Sequence, residues 1–225
     1  MLPEEGAQAP EYFQALLRER APSFGLEFSR AVLEPLGRFL SELDRARRRT
    51  NLTGPVASEE LVEHALESAL GEQLIPHGAR VIDIGSGAGF PAVPLAIVRP
   101  DIEVAPVEPR RKRIEFLEAV SRAAGISNLS SPTKSLGQIP DESADVATAR
   151  AVGGIERLLR DPRFLRPGGS FLAWTTDVDA LSRHLAPLFR LDRDLPVPRS
   201  RRKRIARFRR QEVPRGTPSR AGNRG

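Results

Sequence analysis

The stretch VIDIGSGAGFP, residues 81–91, is the strongest structural signal in this chain. Its first four residues are apolar apart from Asp83 and have the length of a short buried strand. Gly85, Gly87 and Gly89 follow at once, and glycine adopts tight backbone conformations that other residues avoid. A glycine turn between a strand and a helix also lets a ligand lie against bare main chain. The stretch therefore predicts a strand, a turn and a helix that together hold a nucleotide-like ligand.

Short strands and helices alternate after Pro76, which indicates a mostly parallel sheet. The candidate strands are 79–84, 102–107, 128–131, 144–149 and 169–174, with 203–210 as a candidate last edge strand. The helices between them are predicted at 91–98, 110–124, 154–161 and 177–186. Helical spacing of apolar residues predicts three more helices before Pro76, at 11–20, 29–48 and 58–72. The fold class is therefore α/β, a Rossmann-like sheet with helices on both faces and an N-terminal helical extension.

Three segments follow from this organisation. Residues 1–75 are expected to form a helical segment packed on the core, and residues 76–211 to form the α/β domain. Residues 212–225 are too rich in Pro, Gly and Arg to pack, and we expect them to be a disordered basic tail.

The composition is that of a globular protein, with 40% apolar and 28% charged residues. No long apolar run and no apolar signal core near the start are visible, which argues against a membrane span and a secretory signal. We therefore expect a cytoplasmic protein. Cysteine is absent and His64, His77 and His184 are scattered, so no metal site is expected. Nothing suggests an obligate dimer, and we expect a monomer.

Positive charge is concentrated at the C-terminal end. Residues 199–225 carry eleven Arg or Lys and one acid, Glu212, whereas the rest of the chain has 24 basic and 28 acidic residues. The run RSRRKRIARFRR, residues 199–210, is typical of contact with a polyanion such as nucleic acid, although basic tails also serve solubility alone.

The spacing of the glycines distinguishes between two kinds of ligand. A dinucleotide fingerprint, G-x-G-x-x-G, would need glycine at position 90, which is Phe90, so a nicotinamide oxidoreductase is disfavoured. The observed G-x-G-x-G, with Asp83 two residues before its first glycine, resembles the cofactor motif of S-adenosylmethionine (SAM) methyltransferases. Asp83 can receive the ammonium group of SAM, and Glu108, directly after the second strand, can bind the ribose hydroxyls. A turn without a ligand and an ordinary surface glutamate are the alternatives.

A narrower resemblance covers about residues 50–220. Seven stretches occur in the order seen in the RsmG family, also called GidB: NLTG (51–54), HALES (64–68), VIDIGSGAGFPAVPLAIVRPD (81–101), RRKRIEFL (110–117), DVATARAV (145–152), LRPGG (165–169) and VPRGTPSR (213–220). Members of this family are bacterial methyltransferases that modify N7 of a guanine in 16S ribosomal RNA. The resemblance implies SAM as the cofactor and 16S ribosomal RNA, or the small ribosomal subunit, as the partner.

The resemblance also implies roles for individual residues. Gly85 and Phe90 would line the SAM pocket, and Glu108 would hold the ribose. The family segment near the adenine falls on Lys134, Ser135 and Leu136. Arg150, just after the fourth candidate strand, matches a family arginine at the mouth of the site, although an ordinary exposed arginine could also stand there. The expected cofactor-binding residues are Asp83, Gly85, Gly87, Gly89, Phe90, Glu108, Ser135, Leu136 and Arg150, and the expected catalytic residues are Arg150 and Lys134.

The chain departs from the family pattern at four places, one of them a pair of residues. Glu67 stands for an aspartate, Ala92 for a glycine and Leu136 for an acid, and Thr175-Thr176 stands where the family has Lys-Gly. The loss of a lysine and an acid leaves open a catalytically impaired homologue that still binds SAM or RNA. A small-molecule methyltransferase is a further alternative, against which the basic tail argues.

Guanine N7 carries a lone pair and has no proton to lose, so its methylation needs no general base. The protein has only to position the base in line with the methyl group, with Arg150 and Lys134 expected to hold phosphate or the guanine O6. The sequence shows no constellation of nucleophile and base, and this chemistry needs none. His64, on a leader helix, is either a packed histidine or part of the site.

Overall fold

The sheet predicted around the glycine turn is present in the structure, a computed structural model that describes residues 6–50 and 52–212. Its six strands are β1 (Arg80–Ile84), β2 (Glu103–Val107), β3 (Ala144–Arg150), β4 (Leu165–Thr175), β5 (Phe189–Pro196) and β6 (Arg204–Arg210). Their order in the sheet is β2-β1-β3-β4-β6-β5. The first four strands pair in parallel, and β6 pairs antiparallel with both β4 and β5. The carboxyl ends of β1, β2, β3 and β4 therefore meet at one edge, where ligands bind in sheets of this kind.

Seven α-helices accompany the sheet in the part of the chain that the structure describes. They are α1 (Pro10–Arg20), α2 (Arg30–Arg49), α3 (Ser58–Leu70), α4 (Ala92–Val98), α5 (Arg111–Ala124), α6 (Ile155–Leu158) and α7 (Val178–Leu185). Their positions confirm the predicted α/β class and the helical extension before the sheet. The helix predicted at 154–161 is a single turn, because Gly154 precedes it in a left-handed conformation and the chain leaves the helix at Leu159.

Two strand predictions need correction, and one strand was not predicted. Residues 128–131 form no strand; Leu129 makes an isolated bridge to β2, and Thr133, just beyond this segment, makes a second one. The segment 203–210 is a strand but not an edge strand, because β5 lies outside it. The sequence analysis missed β5, whose charged side chains hide the alternation of an exposed edge.

The two faces of the sheet are covered by separate apolar clusters. Neighbouring residues of one strand point to opposite faces, so Val81 packs in one cluster and Ile82 in the other. The larger cluster joins the sheet to α1, α2, α3, α4 and α5, and the smaller one joins it to α6 and α7. The N-terminal helices and the sheet thus share one core. The division of the chain at residues 75 and 76 stays a prediction, and the predicted tail, apart from Glu212, lies outside the described residues.

A buried carboxylate ties the N-terminal helices together. Asp44 on α2 is fully buried and accepts hydrogen bonds from the Gln8 amide (2.9 Å) and from the hydroxyl of Ser58 (3.0 Å), the first residue of α3. Arg47 lies 2.6 Å from the same carboxylate. These bonds hold α2, α3 and the segment before α1 in one arrangement, which places α3 beside the sheet.

Candidate functional site

The glycine turn after β1 has a backbone that other residues rarely adopt. Gly85, Gly87 and Gly89 have φ values of 72°, 57° and 101°. The Gly85 amide donates to the carbonyl oxygen of Val107 at the end of β2 (2.8 Å). A Cβ atom at Gly85 would lie 2.8 Å from Cγ2 of Val152, which is too close for any side chain. Both conformation and space therefore require glycine at the start of this turn.

Asp83 lies on β1 just before the turn and is fully buried. Its Oδ1 accepts a hydrogen bond from the hydroxyl of Thr148 on β3 (2.7 Å), whereas its Oδ2 has no hydrogen-bond partner among the described residues. Burial raises the pKa of this carboxyl to about 6, since the ionised form is poorly solvated there. A buried oxygen without a donor is costly, and a cationic ligand group would supply the missing donor.

Glu108 follows β2 directly and is 2% exposed. Its Oε2 accepts from the Gly87 amide (3.0 Å) and its Oε1 from the Arg110 amide (2.9 Å), while Arg113 lies 3.5 Å away. The carboxylate therefore braces the glycine turn against the start of α5. A carboxylate has about four acceptor positions, so two backbone bonds leave room for a pair of ligand hydroxyls.

The segment predicted to lie near the adenine runs along the outer side of β2. The Thr133 carbonyl accepts a hydrogen bond from the Glu108 amide (2.9 Å), which places Lys134 and Ser135 close to that end of β2. Both are exposed, and Leu136 packs partly on the smaller apolar cluster. Lys134 and Arg150 lie at the same edge of the sheet, but β2 and β1 stand between them. Three strand spacings, roughly 14 Å, therefore separate the two expected catalytic residues.

Arg150 is the last residue of β3, and its guanidinium is bound to α3. It donates to the His64 carbonyl oxygen (2.9 Å), to the Ser68 hydroxyl (3.3 Å) and to Oε2 of Glu67 (2.8 Å). Its Cζ lies 5.8 Å from the centre of the Phe90 ring. The Arg150 side chain is 14% exposed, so most of its donors are used within the protein.

His64 accepts a hydrogen bond at Nδ1 from the Arg150 guanidinium (2.6 Å), since a guanidinium can only donate. The ring proton is therefore on Nε2. Burial, and then the nearby charge of Arg150, lower the pKa of His64 to about 4. The ring also meets the Phe90 ring edge to face at 5.8 Å. The structure thus gives His64 a packed, hydrogen-bonded position that also forms part of a cavity wall.

A cavity of about 620 Å³ opens at the carboxyl ends of β3 and β4. Its apolar lining comes mainly from both strands, the helices that follow them and the loop after β3, and includes Ala149, Val152, Ile155, Phe171, Ala173 and Leu181. Its polar lining is formed by His64, Glu67, Arg150, Thr175, Thr176, Lys203 and Arg204. Of the expected cofactor-binding and catalytic residues, Arg150 alone is among those that line it, and His64 lines it as well.

Glu67, Lys203 and Trp174 form the wall of this cavity that faces α3. Glu67 is 7% exposed at its side chain, and its Oε1 accepts from the Lys203 ammonium (2.6 Å) while its Oε2 accepts from Arg150. The Trp174 indole donates to the Glu67 carbonyl oxygen (2.7 Å). Gly71 leaves space for that indole, since a Cβ there would lie 2.4 Å from it. Helix α3 is thereby attached to β4 and to Lys203, just before β6, as well as to β3.

Sequence reasoning missed Lys203 and Trp174 as parts of a site. The only signals in the sequence are that Lys203 stands in a basic run and that Trp174 is the one tryptophan of the chain. The pairing of Thr175 on β4 with Arg204 on β6 brings Lys203 beside the end of β4. No local pattern indicates that pairing, because the two strands are far apart in sequence.

Residues 6–50 and 52–212 contain neither a cluster of metal ligands nor a membrane-spanning helix. No group of three or more His, Cys, Asp or Glu side chains is placed to hold a metal ion there. No helix in that part of the chain is long and apolar enough to cross a membrane.

A family model matches most of this chain. Residues 32–182 match the model of GidB, described as rRNA small subunit methyltransferase G. A relative from Frankia alni is 36% identical over 68% of this chain and 61% of its own length. Relatives from Sorangium cellulosum and Caldanaerobacter subterraneus are 37% and 36% identical, and the match covers 68% and 70% of their lengths. All three are named ribosomal RNA small subunit methyltransferase G.

Solved structures with low sequence identity share the fold. A SAM-dependent methyltransferase from Aquifex aeolicus superposes with a TM-score of 0.56 at 14% identity, over 74% of this chain and 97% of that one. A ribosomal protein L11 methylase from Lactobacillus delbrueckii superposes with a TM-score of 0.53 at 16% identity, over 71% and 91% of the two chains. This similarity shows that the sheet and its helices have the Rossmann-like architecture of such enzymes.

Proposed function

Because this chain belongs to the GidB family of rRNA small subunit methyltransferase G, we propose that it transfers a methyl group from SAM to N7 of a guanine in 16S ribosomal RNA. The match spans 61% of the first of those relatives, so the activity of the whole protein is part of this proposal. The reaction is proposed from the family. The residues of the site must bind the cofactor and the target base.

The observation that carries the proposal is the pair of buried acids at the ends of two neighbouring strands. Asp83 on β1 keeps one carboxylate oxygen without a hydrogen-bond donor in the described chain, and Glu108 after β2 is 2% exposed. Between them the turn residues Gly85 and Gly87 carry no side chain. The donor set fits SAM, whose ammonium suits Asp83 and whose ribose hydroxyls suit Glu108.

We assign the cofactor-binding residues on this basis. Asp83 holds the ammonium, Glu108 holds the ribose, and the turn presents main chain to the ligand. Phe90, at the end of the turn, forms an apolar wall together with Phe39 at 5.3 Å. Ser135 and Leu136, beside the end of β2, border the adenine end. SAM supplies the methyl group that is transferred.

The protein side of the reaction is positioning. Guanine N7 attacks with a lone pair and releases no proton, so no side chain has to act as a base. Arg150 and Lys134 were expected to hold the base or phosphate directly. In the structure the Arg150 donors are engaged by α3, so we propose that Arg150 fixes the wall of the substrate cavity, while exposed Lys134 contacts phosphate on the other side of the turn. We further propose that the protein acts in the cytoplasm as a monomer.

The test is transfer of labelled methyl from SAM to 16S ribosomal RNA and to small ribosomal subunits, with digestion to nucleosides. Formation of 7-methylguanosine by the unaltered chain supports the proposal. Glu108→Gln should bind SAM about ten- to a hundredfold more weakly, since one of the two oxygens, each of which accepts from a backbone amide, is replaced by a donor. Glu103→Gln, at the exposed first residue of β2, is the matched control and should behave like the unaltered protein. SAM binding without any transfer to either RNA would instead favour the impaired homologue.

A further inference from the structure

The cavity at the ends of β3 and β4 has the size and chemistry of a pocket for a small planar molecule. Its volume of about 620 Å³ lies within the usual range for ligand sites. Apolar side chains from β3, β4, α6 and α7 form most of it, and the polar groups concentrate on the wall beside α3. A base taken out of an RNA strand needs this combination, since its faces are apolar and its edges carry donors and acceptors.

The group best placed to select among bases is the Glu67 carboxylate. Its two hydrogen bonds, from Lys203 to Oε1 and from Arg150 to Oε2, use one acceptor position on each oxygen. About two positions remain, one on each oxygen, and Glu67 lines the cavity. Two parallel acceptors match two parallel donors, and guanine offers such a pair in N1–H and the 2-amino group. Adenine has no hydrogen at N1 and no 2-amino group.

We infer that this cavity binds the target guanine and that Glu67 recognises its N1–H and 2-amino edge. The inference rests on the proposed function and adds the group that identifies the base. Arg150 and Lys203 hold the carboxylate in place and balance its charge, so that bringing a base against it leaves no buried acid unpaired. Guanine N7 lies on the opposite edge of the purine from the 2-amino group, so this contact leaves N7 free to react. Glu67 is thus a specificity-determining residue.

The same arrangement provides a reporter. Trp174 lines the cavity, its indole donates to the Glu67 main chain, and the chain has no other tryptophan. Its fluorescence therefore follows occupation of the cavity without any methyl transfer. A titration with nucleoside monophosphates uses the full chain and needs no substituted residue.

The experiment compares guanosine, inosine, 1-methylguanosine and adenosine monophosphates in the presence of SAM. Guanosine monophosphate should bind most tightly. Inosine monophosphate, which lacks the 2-amino group, should bind more weakly, and 1-methylguanosine and adenosine monophosphates should bind about 5- to 150-fold more weakly than guanosine monophosphate. Equal affinities for the four nucleotides, or no response of Trp174 to any of them, would overturn the inference.

Substitution of Glu67 gives a second comparison. Glu67→Gln should reduce the preference for guanosine over adenosine monophosphate to less than about threefold. Glu63→Gln is the matched control, one turn earlier on α3, where the carboxylate pairs with Arg20 and Arg199 outside this cavity. A preference that survives Glu67→Gln would overturn the inference. If Glu67→Gln fails to fold, the nucleotide series on the unaltered chain still decides.

The two proposals fail in different ways. A Trp174 signal that shows a preference for guanosine monophosphate, without formation of 7-methylguanosine in ribosomal RNA, would support guanine recognition by Glu67 and overturn the proposed function. Methylation of guanine N7 in ribosomal RNA, without a preference for guanosine monophosphate in the Trp174 signal, would support the proposed function and overturn the inference about Glu67.

Discussion

A single carboxyl group, Asp83, is expected to lower the stability of this protein at neutral pH. Burial raises its folded-state pKa to about 6 from an ordinary value of 3.8. Between these two values the unfolded chain has lost its proton while the folded protein keeps it, so stability falls as the pH rises through this window. The full penalty, about 3 kcal/mol from a shift of about two units, applies above pH 6.

Asp83→Asn should therefore raise the free energy of unfolding by up to about 2–3 kcal/mol at pH 7.5 and change it little at pH 4. Urea unfolding at both values, followed by Trp174 fluorescence, measures this. The variant should also lose affinity for SAM, because the amide cannot pair with an ammonium group. A stability gain that is equal at both pH values, or a loss at pH 7.5, would contradict a buried Asp83 whose pKa is raised.

Comparing Gly85 with Gly78 separates two costs to stability of adding a side chain: backbone strain and steric contact. Gly78 and Gly85 both have left-handed φ values, 66° and 72°, but a Cβ at Gly78 meets nothing within 4 Å, whereas one at Gly85 meets Val152. Gly78→Ala should cost about 1–2 kcal/mol of stability from backbone strain alone. Gly85→Ala should cost more in urea unfolding.

The excess at Gly85 should largely disappear when Val152 is also replaced by alanine, because that removes the contact. If the excess persists in the Val152→Ala background, the loss comes from the turn itself and not from crowding.

For single residues, the sequence predicted the parts of the site whose members are close together along the chain. Asp83 lies in a buried strand, the three glycines and Glu108 directly follow buried strands, and all of them stand at adjoining strand ends in the structure. Glu67 and Lys203 are 136 residues apart, and their pairing depends on how α3 lies against β6. A single sequence carries no signal for such a contact, so the cavity wall could not be predicted.

At the scale of elements, Arg150 is a link between β3 and α3. Its guanidinium bonds to three residues of that helix, and the Glu67 carboxylate beside it is almost fully buried. Arg150→Ala should lower the free energy of unfolding by about 3–5 kcal/mol, since it leaves a buried acid without one of its cations. Arg111→Ala, which removes an exposed pair with Glu115, should change it by less than about 0.5 kcal/mol.

Urea unfolding of both variants tests this. An Arg150→Ala protein as stable as the unaltered chain, but unable to transfer methyl groups, would show that Arg150 acts on ligands and not on the helix.

Element prediction succeeded for strands with buried runs and failed at the antiparallel end of the sheet. The strands β1, β2 and β3 lie within one residue of their predicted bounds, because their apolar runs are continuous. The strand β5 exposes most of its side chains, and its pairing with β6 includes ion pairs such as Arg204 with Asp194 at 2.7 Å. Ion pairs of that kind can be recognised only when the antiparallel pairing of β5 with β6 is known.

For the whole molecule, the basic run at residues 199–210 is partly an internal structure. Arg204 pairs with Asp194, Arg207 with Asp192, and Lys203 with Glu67. Arg201 and Arg202 are exposed and have no acidic partner in the described ranges. The polyanion affinity expected from composition should therefore come from a few residues of this run and not from all of it.

Replacing both Arg201 and Arg202 with Gln should reduce the slope of log K against log salt for a 16S RNA fragment by about 1.5, from about 0.7–0.9 per lost phosphate contact. Arg204→Gln should leave the slope unchanged and lower stability. Fluorescence anisotropy over a range of salt concentrations measures the slopes. Equal slopes for all variants would place the RNA contacts elsewhere.

The attachment of α3 to Trp174 has a consequence for how the chain is made. The Glu67 carbonyl meets the Trp174 indole only after 107 further residues have been added, which takes roughly 5–20 s at ~5–20 residues per second. During that interval the apolar faces of α1, α2 and α3 lack β4 and β6, which later add Leu172 and Ile205 to the cluster that covers them. The newly synthesised helices are therefore suited to capture by a chaperone, and β4 and β6, which complete the sheet above α3, end that need.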